Sequence, residues 1–171
     1  MSFDLLQRLP ASWRPSFVKF GLNWHPAYRR GGGRVEYVAP DMSAMRVRLN
    51  LGRNTRNAFG TLFGGSLFAI TDGPHPILLM AALGADVVVW DEEATIRFLV
   101  PGRTTLYADF QVTSADLATI RADIARDGRT RRTYTIELKD EQGIVHAVVE
   151  RTVYIADKAH YKSKTSGGED S

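Results

Sequence analysis

Asn57-Ala58-Phe59-Gly60-Thr61-Leu62-Phe63-Gly64-Gly65-Ser66-Leu67-Phe68-Ala69-Ile70-Thr71-Asp72 is the stretch on which the reading of this 171-residue chain turns. A polar residue and a glycine-broken loop lead into an apolar run that continues to about Leu83, where Gly84 supplies a C-terminal cap. The spacing predicts one long apolar helix with a single carboxylate, Asp72, two turns inside it among Phe68, Ala69, Ile70, Ile77 and Leu78. An ionised carboxylate is costly to bury without a partner or hydrogen bonds. A chain that places one beside a tight glycine turn is expected to use it.

Outward from this stretch, a short helix is expected over residues 3–9, broken by Pro10. A second helix carries Trp13, Phe17, Phe20 and Trp24 at helical spacing, and Gly31-Gly32-Gly33 ends this layer. Strands are expected at 35–39 and 45–49, where Met45, Val47 and Leu49 alternate with Arg46 and Arg48. Beyond the apolar run the alternation returns in Val87 to Trp90, in Ile96, Phe98 and Val100, in Leu106 to Val112, in Tyr134, Ile136 and Leu138, and in Val145 to Ile155. Ser114 reads as the N-cap of a helical insert bearing Leu117, Ile120 and Ile124 and closed by Gly128. An antiparallel sheet curled round one central apolar helix satisfies this order, because each partner needs the other for burial. The class is α+β: residues 1–30 an N-terminal helical extension, 31–157 one domain, and 158–171 a polar disordered tail.

A hydrophobic content of 44% suits one globular domain of this length. The absence of cysteine excludes a disulfide framework and thiolate chemistry, in keeping with a cytoplasmic protein. Four scattered histidines argue against a metal site. A net charge of +3 suits small polyanionic ligands but does not argue for nucleic acid. Neither a secretory start nor a membrane-spanning run is read, so no membrane partner is expected.

Asn57, Gly60, Gly64-Gly65 and Asp72, seven residues past the last glycine, together resemble the active-site motif of the hotdog-fold acyl-CoA thioesterases. The resemblance is to the branch of the bacterial phenylacetyl-CoA thioesterases, and most of all to an uncharacterised hotdog group related to it. Pro101-Gly102-Arg103 and Gly128-Arg129 are weaker matches, and the whole spans residues 35–155. The resemblance implies a hotdog fold, hydrolysis of an acyl-CoA or similar thioester, and a homodimer or homotetramer with sites shared between subunits. It implies no cofactor beyond the coenzyme A moiety of the substrate. Phe63 stands where the branch has a histidine that helps to orient the thioester, and a phenyl ring makes no conventional hydrogen bond. That departure points to a changed substrate or mechanism, or to a protein that binds acyl-CoA or lipid without turnover. A hydratase or dehydratase, which this fold also hosts, would want a histidine–carboxylate pair such as Asp72 with His75.

Thioester hydrolysis needs an oxyanion donor, an activator for water and an acyl pocket. The unpaired N–H groups and dipole at the start of the central helix suit the first, with the Gly65 N–H as donor and Gly64 leaving room. Asp72 is the expected base or nucleophile, with Asn57 near the water or carbonyl. Helical rise sets Gly65 and Asp72 about 10 Å apart, so a second subunit must bring its Asp72 to the first subunit's Gly65. Structural readings stand beside each of these. Asp72 suits a cap where Gly73-Pro74-His75-Pro76 disrupts the helix, Gly64-Gly65 a close helix–sheet contact, and Asn57 a turn. His75 and Phe63 suit packing, or in the case of Phe63 the wall of an acyl tunnel. Arg103, Arg129 and Arg131 are candidates for the coenzyme A phosphates or plain surface charge. The Trp13-to-Trp24 stripe is expected to pack on the domain, over the outer sheet face or against the pocket.

Overall fold

Proline and glycine punctuate the first thirty residues of the computed structural model, which describes residues 3–166 and the side chains of residues 6–162. Pro10 parts α1 (Phe3–Arg8) from α2 (Arg14–Trp24). Pro26 then opens α3 (Pro26–Gly31), which the sequence reading had absorbed into a glycine-rich stop; Gly32, at φ 91°, closes it. The hairpin β1 (Gly33–Val38) and β2 (Ala44–Leu49) leads through a loop to α4 (Gly64–Ala69) and α5 (Pro74–Leu83). The rest of the chain is β3 (Val87–Phe98), β4 (Leu106–Gln111), α6 (Ser114–Asp127), β5 (Arg129–Lys139), β6 (Val145–Asp157) and α7 (Lys158–Ser166).

Among the described residues, six strands form one antiparallel sheet in the order β1-β2-β4-β5-β6-β3. Its inner rows, including Met45, Val47 and Leu49, Leu106, Ala108 and Phe110, and Val149, Val153 and Ile155, share one core with Leu67, Ile70, Ile77 and Leu78 of the central helices. The expected architecture is therefore present, with the central helix in two pieces. Gly73, at φ 97°, and Pro74, which has no N–H to donate, end one ladder and begin another. The stretch from Gly64 to Leu83 is long and apolar enough to cross a membrane by length and composition, contrary to the sequence reading, but half of it is buried against this sheet.

Two boundaries move for identifiable reasons. The cap of α6 is Thr113 rather than Ser114: its hydroxyl accepts the Asp116 N–H at 3.0 Å while the Asp116 carboxylate accepts the Thr113 N–H, a reciprocal box. The segment read as a disordered tail from residue 158 is helical over Lys158–Ser166, because Asp157 accepts the Ala159 N–H at 2.7 Å and starts a turn; residues 167–171 lie outside the described residues.

The sheet's two edges differ. α2 lies along β1 with Val18 and Leu22 facing in. The Asn23 amide donates to the Val35 carbonyl at 3.0 Å and accepts the Val35 N–H at 2.8 Å, replacing a strand neighbour. β3 is twelve residues long, and among the described residues no strand lies beyond it.

Candidate active site

The break between α4 and α5 lifts Asp72 out of the core. Its side chain is 70% exposed, not buried between Phe68 and Leu78 as an unbroken helix would require. Beneath it is Arg151, whose side chain is only 4% exposed, on β6 in the helix-facing row with Ala147, Val149, Val153 and Ile155. Its Nε donates to Thr71 Oγ1 at 2.9 Å, and its Nη1 to Asp91 Oδ2 at 2.9 Å. Nη2 donates to the Phe68 carbonyl at 3.2 Å, and the guanidinium lies 4.7 Å over the Phe68 ring. A cation is well placed there, since the carbonyls ending α4 carry partial negative charge. Asp72 Oδ1 stands 3.8 Å from Nη1.

Asp91, on β3, sits against the same cation. Burial above all, and the nearby Asp72 carboxylate, push it up to about 6 against the opposing pull of Arg151. Tyr28 of α3 braces the break from below, its hydroxyl donating to the Ile70 carbonyl at 2.9 Å; burial and then Asp72 hold its phenol far above the usual range. An exposed carboxylate thus stands on a buried cation, beside a second carboxyl that burial makes harder to ionise. Sequence reasoning missed Arg151, Asp91 and Tyr28. A signal existed for the first, because strict alternation along Ala147, Val149, Val153 and Ile155 places an arginine in an otherwise apolar row.

Eight residues back, the start of α4 carries Gly64 and Gly65. A Cβ on Gly65 would meet the Phe63 ring at 2.4 Å, and one on Gly64 the Phe98 ring at 3.0 Å. The glycines thus let two exposed aromatic rings lie close against the start of α4. Both rings are themselves exposed, as are Leu99 and Val100, so Phe63 is not core. Asn57 clips the loop before α4. Its Oδ1 accepts the N–H groups of Phe59 at 2.9 Å and Thr61 at 3.1 Å, and its Nδ2 donates to Thr61 Oγ1 at 2.9 Å. The turn reading of Asn57 accounts for these contacts. The Leu62 N–H donates to the Gly102 carbonyl at 2.8 Å, which holds the Pro101-Gly102-Arg103 turn against the same loop.

The three candidate arginines are not together. Arg103 follows the end of β3, where Phe98 pairs with Ala147 of β6, whereas Arg129 pairs with Ala156. Nine residues of strand separate those two ends, about 30 Å. Arg131 is held by Glu92, with Nη2 to Oε1 at 2.7 Å, and lies over the Tyr154 ring. His75 is buried, stacked 4.0 Å from Tyr134, and burial drives its pKa down to about 4. It packs and makes no hydrogen bond to Asp72. His146 and Asp140 do form a histidine–carboxylate pair, 3.1 Å apart and buried, which fastens the β5–β6 turn to the Val100 carbonyl. A depression of about 800 Å³ lies on the outer sheet face among Glu36, Arg46, Tyr107, Asp109 and Glu137, away from Asp72. Among the described residues no three His, Asp or Glu side chains are grouped to hold a metal.

Six antiparallel strands around a two-part apolar helix define a hotdog-fold protein. The chain belongs to the family described as a domain of unknown function, DUF4442, whose model matches residues 18–155. No curated protein matches it. Among solved structures it is similar to a protein of unknown function from Pseudomonas aeruginosa described as a probable thioesterase, with TM-score 0.75, 19% identity, and 87% of this chain and 97% of that one covered. It is also similar to a thioesterase from Haemophilus influenzae, with TM-score 0.61, 14% identity, and coverage of 82% and 88%. A third is the E. coli PaaI protein of the phenylacetic acid degradation operon, with TM-score 0.59, 18% identity, and coverage of 84% and 92%. At these identities the likeness carries the fold.

Proposed function

We propose that this protein is a cytoplasmic thioesterase that hydrolyses acyl-CoA thioesters as a homodimer. The observation that carries the reading is Asp72 itself, an accessible carboxylate standing 3.8 Å from the Arg151 cation that Thr71 and Asp91 hold at the helix break. The thioesterase descriptions of the hotdog structures from P. aeruginosa and H. influenzae support it.

The open edge of β3 accounts for the second protomer. Antiparallel pairing of two β3 edges about a twofold near the middle of the strand exchanges their ends. Asp72, which lies beside Asp91, then approaches the partner's α4 start, which lies beside Phe98. Phe63, Phe98, Leu99 and Val100 gain burial in such a pair. Asp72 takes a proton from water as the oxygen attacks the thioester carbon. The first-turn N–H of Gly65 meets the oxyanion, and the proton then passes to the leaving thiolate. Asn57 holds the loop that presents α4. Arg103, close to the start of α4, is the candidate for a coenzyme A phosphate, because Arg131 is already paired with Glu92.

The test is thiol release from a panel of acyl-CoA esters, aromatic and aliphatic, with the particle mass measured by light scattering. Asp72→Asn should lower turnover by roughly a hundredfold or more while leaving the fold intact. No release from any ester, or full activity in a monomer, overturns the reading. The Phe63 and Phe98 rings over the glycines favour a second reading, binding of acyl-CoA without turnover. Calorimetry showing affinity without hydrolysis would select it.

A further inference from the structure

Of the stripe Trp13, Phe17, Phe20 and Trp24, only Phe17 packs against the core, and it is half-buried. α2 turns Val18 and Leu22 inward onto β1, and Trp13, Phe20 and Trp24 stand out at 66%, 63% and 64% exposure. Phe20 and Trp24 stack on each other, ring centroids 5.6 Å apart, rather than on the body of the protein. The helix is nonetheless firmly seated, because Asn23 is bonded to both polar groups of Val35 and Lys19 donates to the Glu36 carbonyl at 2.6 Å. Large apolar rings are therefore held in water on a rigid support, an arrangement that asks for a partner.

Charge says what kind. From residue 5 to residue 35 there is no Asp or Glu, while Arg8, Arg14, Lys19, Arg29, Arg30 and Arg34 fall in the same span. Arg8, Lys19, Arg29, Arg30 and Arg34 are exposed. A groove of about 380 Å³ is lined by Trp24, Pro26, Arg29, Arg30 and Asn54, so two guanidinium groups sit beside an indole. A second groove, about 580 Å³, is lined mainly by Leu9, Trp13, Phe17 and Phe20. A second copy docked on this face about a twofold would set cations against cations. Nucleic acid would want a more basic protein than a net +3. Indole and phenyl rings flanked by basic side chains match the boundary between acyl chains and anionic headgroups.

We propose that α2 and α3 form a docking face for an anionic lipid bilayer. The rings of Trp13, Phe20 and Trp24 enter the interface, and Arg29 and Arg30 hold phosphate groups. The protein rests on the membrane surface without crossing it. This inference stands apart from the thioesterase reading.

The experiment is co-sedimentation of the full chain with vesicles of phosphatidylcholine alone and of phosphatidylcholine mixed with phosphatidylglycerol, at low and high salt. A Trp90→Phe background leaves only Trp13 and Trp24 to report by fluorescence. Binding to the anionic vesicles only, weakened by salt and accompanied by a blue shift, is expected. Arg29→Gln with Arg30→Gln should weaken it about 30-fold, at about fivefold per cation. Trp13→Ser with Phe20→Ser and Trp24→Ser should abolish it with thermal unfolding unchanged. Absence of vesicle binding overturns the proposal, and so does binding to nucleic acid in its place. So does a triple variant that loses oligomeric mass, because the stripe would then be a contact between copies.

Discussion

Replacing Arg151 by Met tests the platform under Asp72 most directly. Methionine keeps the length and apolar bulk of the side chain but removes every donor. Thr71 Oγ1, Asp91 Oδ2 and the Phe68 carbonyl each lose a hydrogen bond of 2.9 to 3.2 Å. The larger loss is electrostatic, since Asp91 is left partly buried without its cation. Breaking one partner of a buried pair costs about 3–5 kcal/mol, which for a chain of this size lowers the melting temperature by roughly 6–20 °C. The sign of the pH dependence follows from Asp91. Its folded-state value of about 6 lies above its ordinary 3.8, so the folded chain holds this proton more tightly than the unfolded one. Between those values its contribution to stability falls as pH rises. Without Arg151, which pulls the value down, the fall extends to higher pH. Urea denaturation followed by circular dichroism at pH 5 and pH 8 should show the cost of Arg151→Met growing with pH. Adding Asp91→Asn should recover about 1–3 kcal/mol of it. A cost under about 1 kcal/mol, the same at both pH values and additive in the double variant, would refute the account.

Three other outcomes are expected. His75→Phe should keep the stack on Tyr134 and flatten acid destabilisation: the native value of about 4 against an ordinary 6.5 means wild type loses roughly 3 kcal/mol as pH falls from 7 to 4, and parallel denaturation series for the two proteins read the difference. Asn57→Ala leaves the Phe59 and Thr61 N–H groups without their acceptor, and should cost about 0.5–1.5 kcal/mol in urea denaturation. Asn23→Ala exposes the Val35 edge, and should appear as concentration-dependent association in light scattering while leaving the Asp72 region unaltered.

Much of the fold was legible because it rests on local signals. Alternation in Met45, Val47 and Leu49 and in Tyr134, Ile136 and Leu138 marks strands, and the glycine motif marks the start of the central helix. The site was legible only in part. Helical spacing places Asp72 in the core, and only the combined effect of Gly73 and Pro74 puts it at the surface. Arg151 is 79 residues from Asp72 in sequence, and the contact depends on which face β6 turns to the helices. The aromatic stripe misled for a related reason. The face of α2 that packs is set by Val18 and Leu22, with Phe17 half-buried beside them, and not by Trp13, Phe20 and Trp24.

The side chain of Asn23 has a consequence on a larger scale. A sheet sticky along both borders can be extended indefinitely, each newcomer offering a fresh border to the next. Here one border is occupied by an amide that mimics a peptide group, and among the described residues β3 is the border left free. Strand-to-strand joining through β3 uses up the free border of both participants at once, so such growth terminates at a pair and cannot run on into a filament.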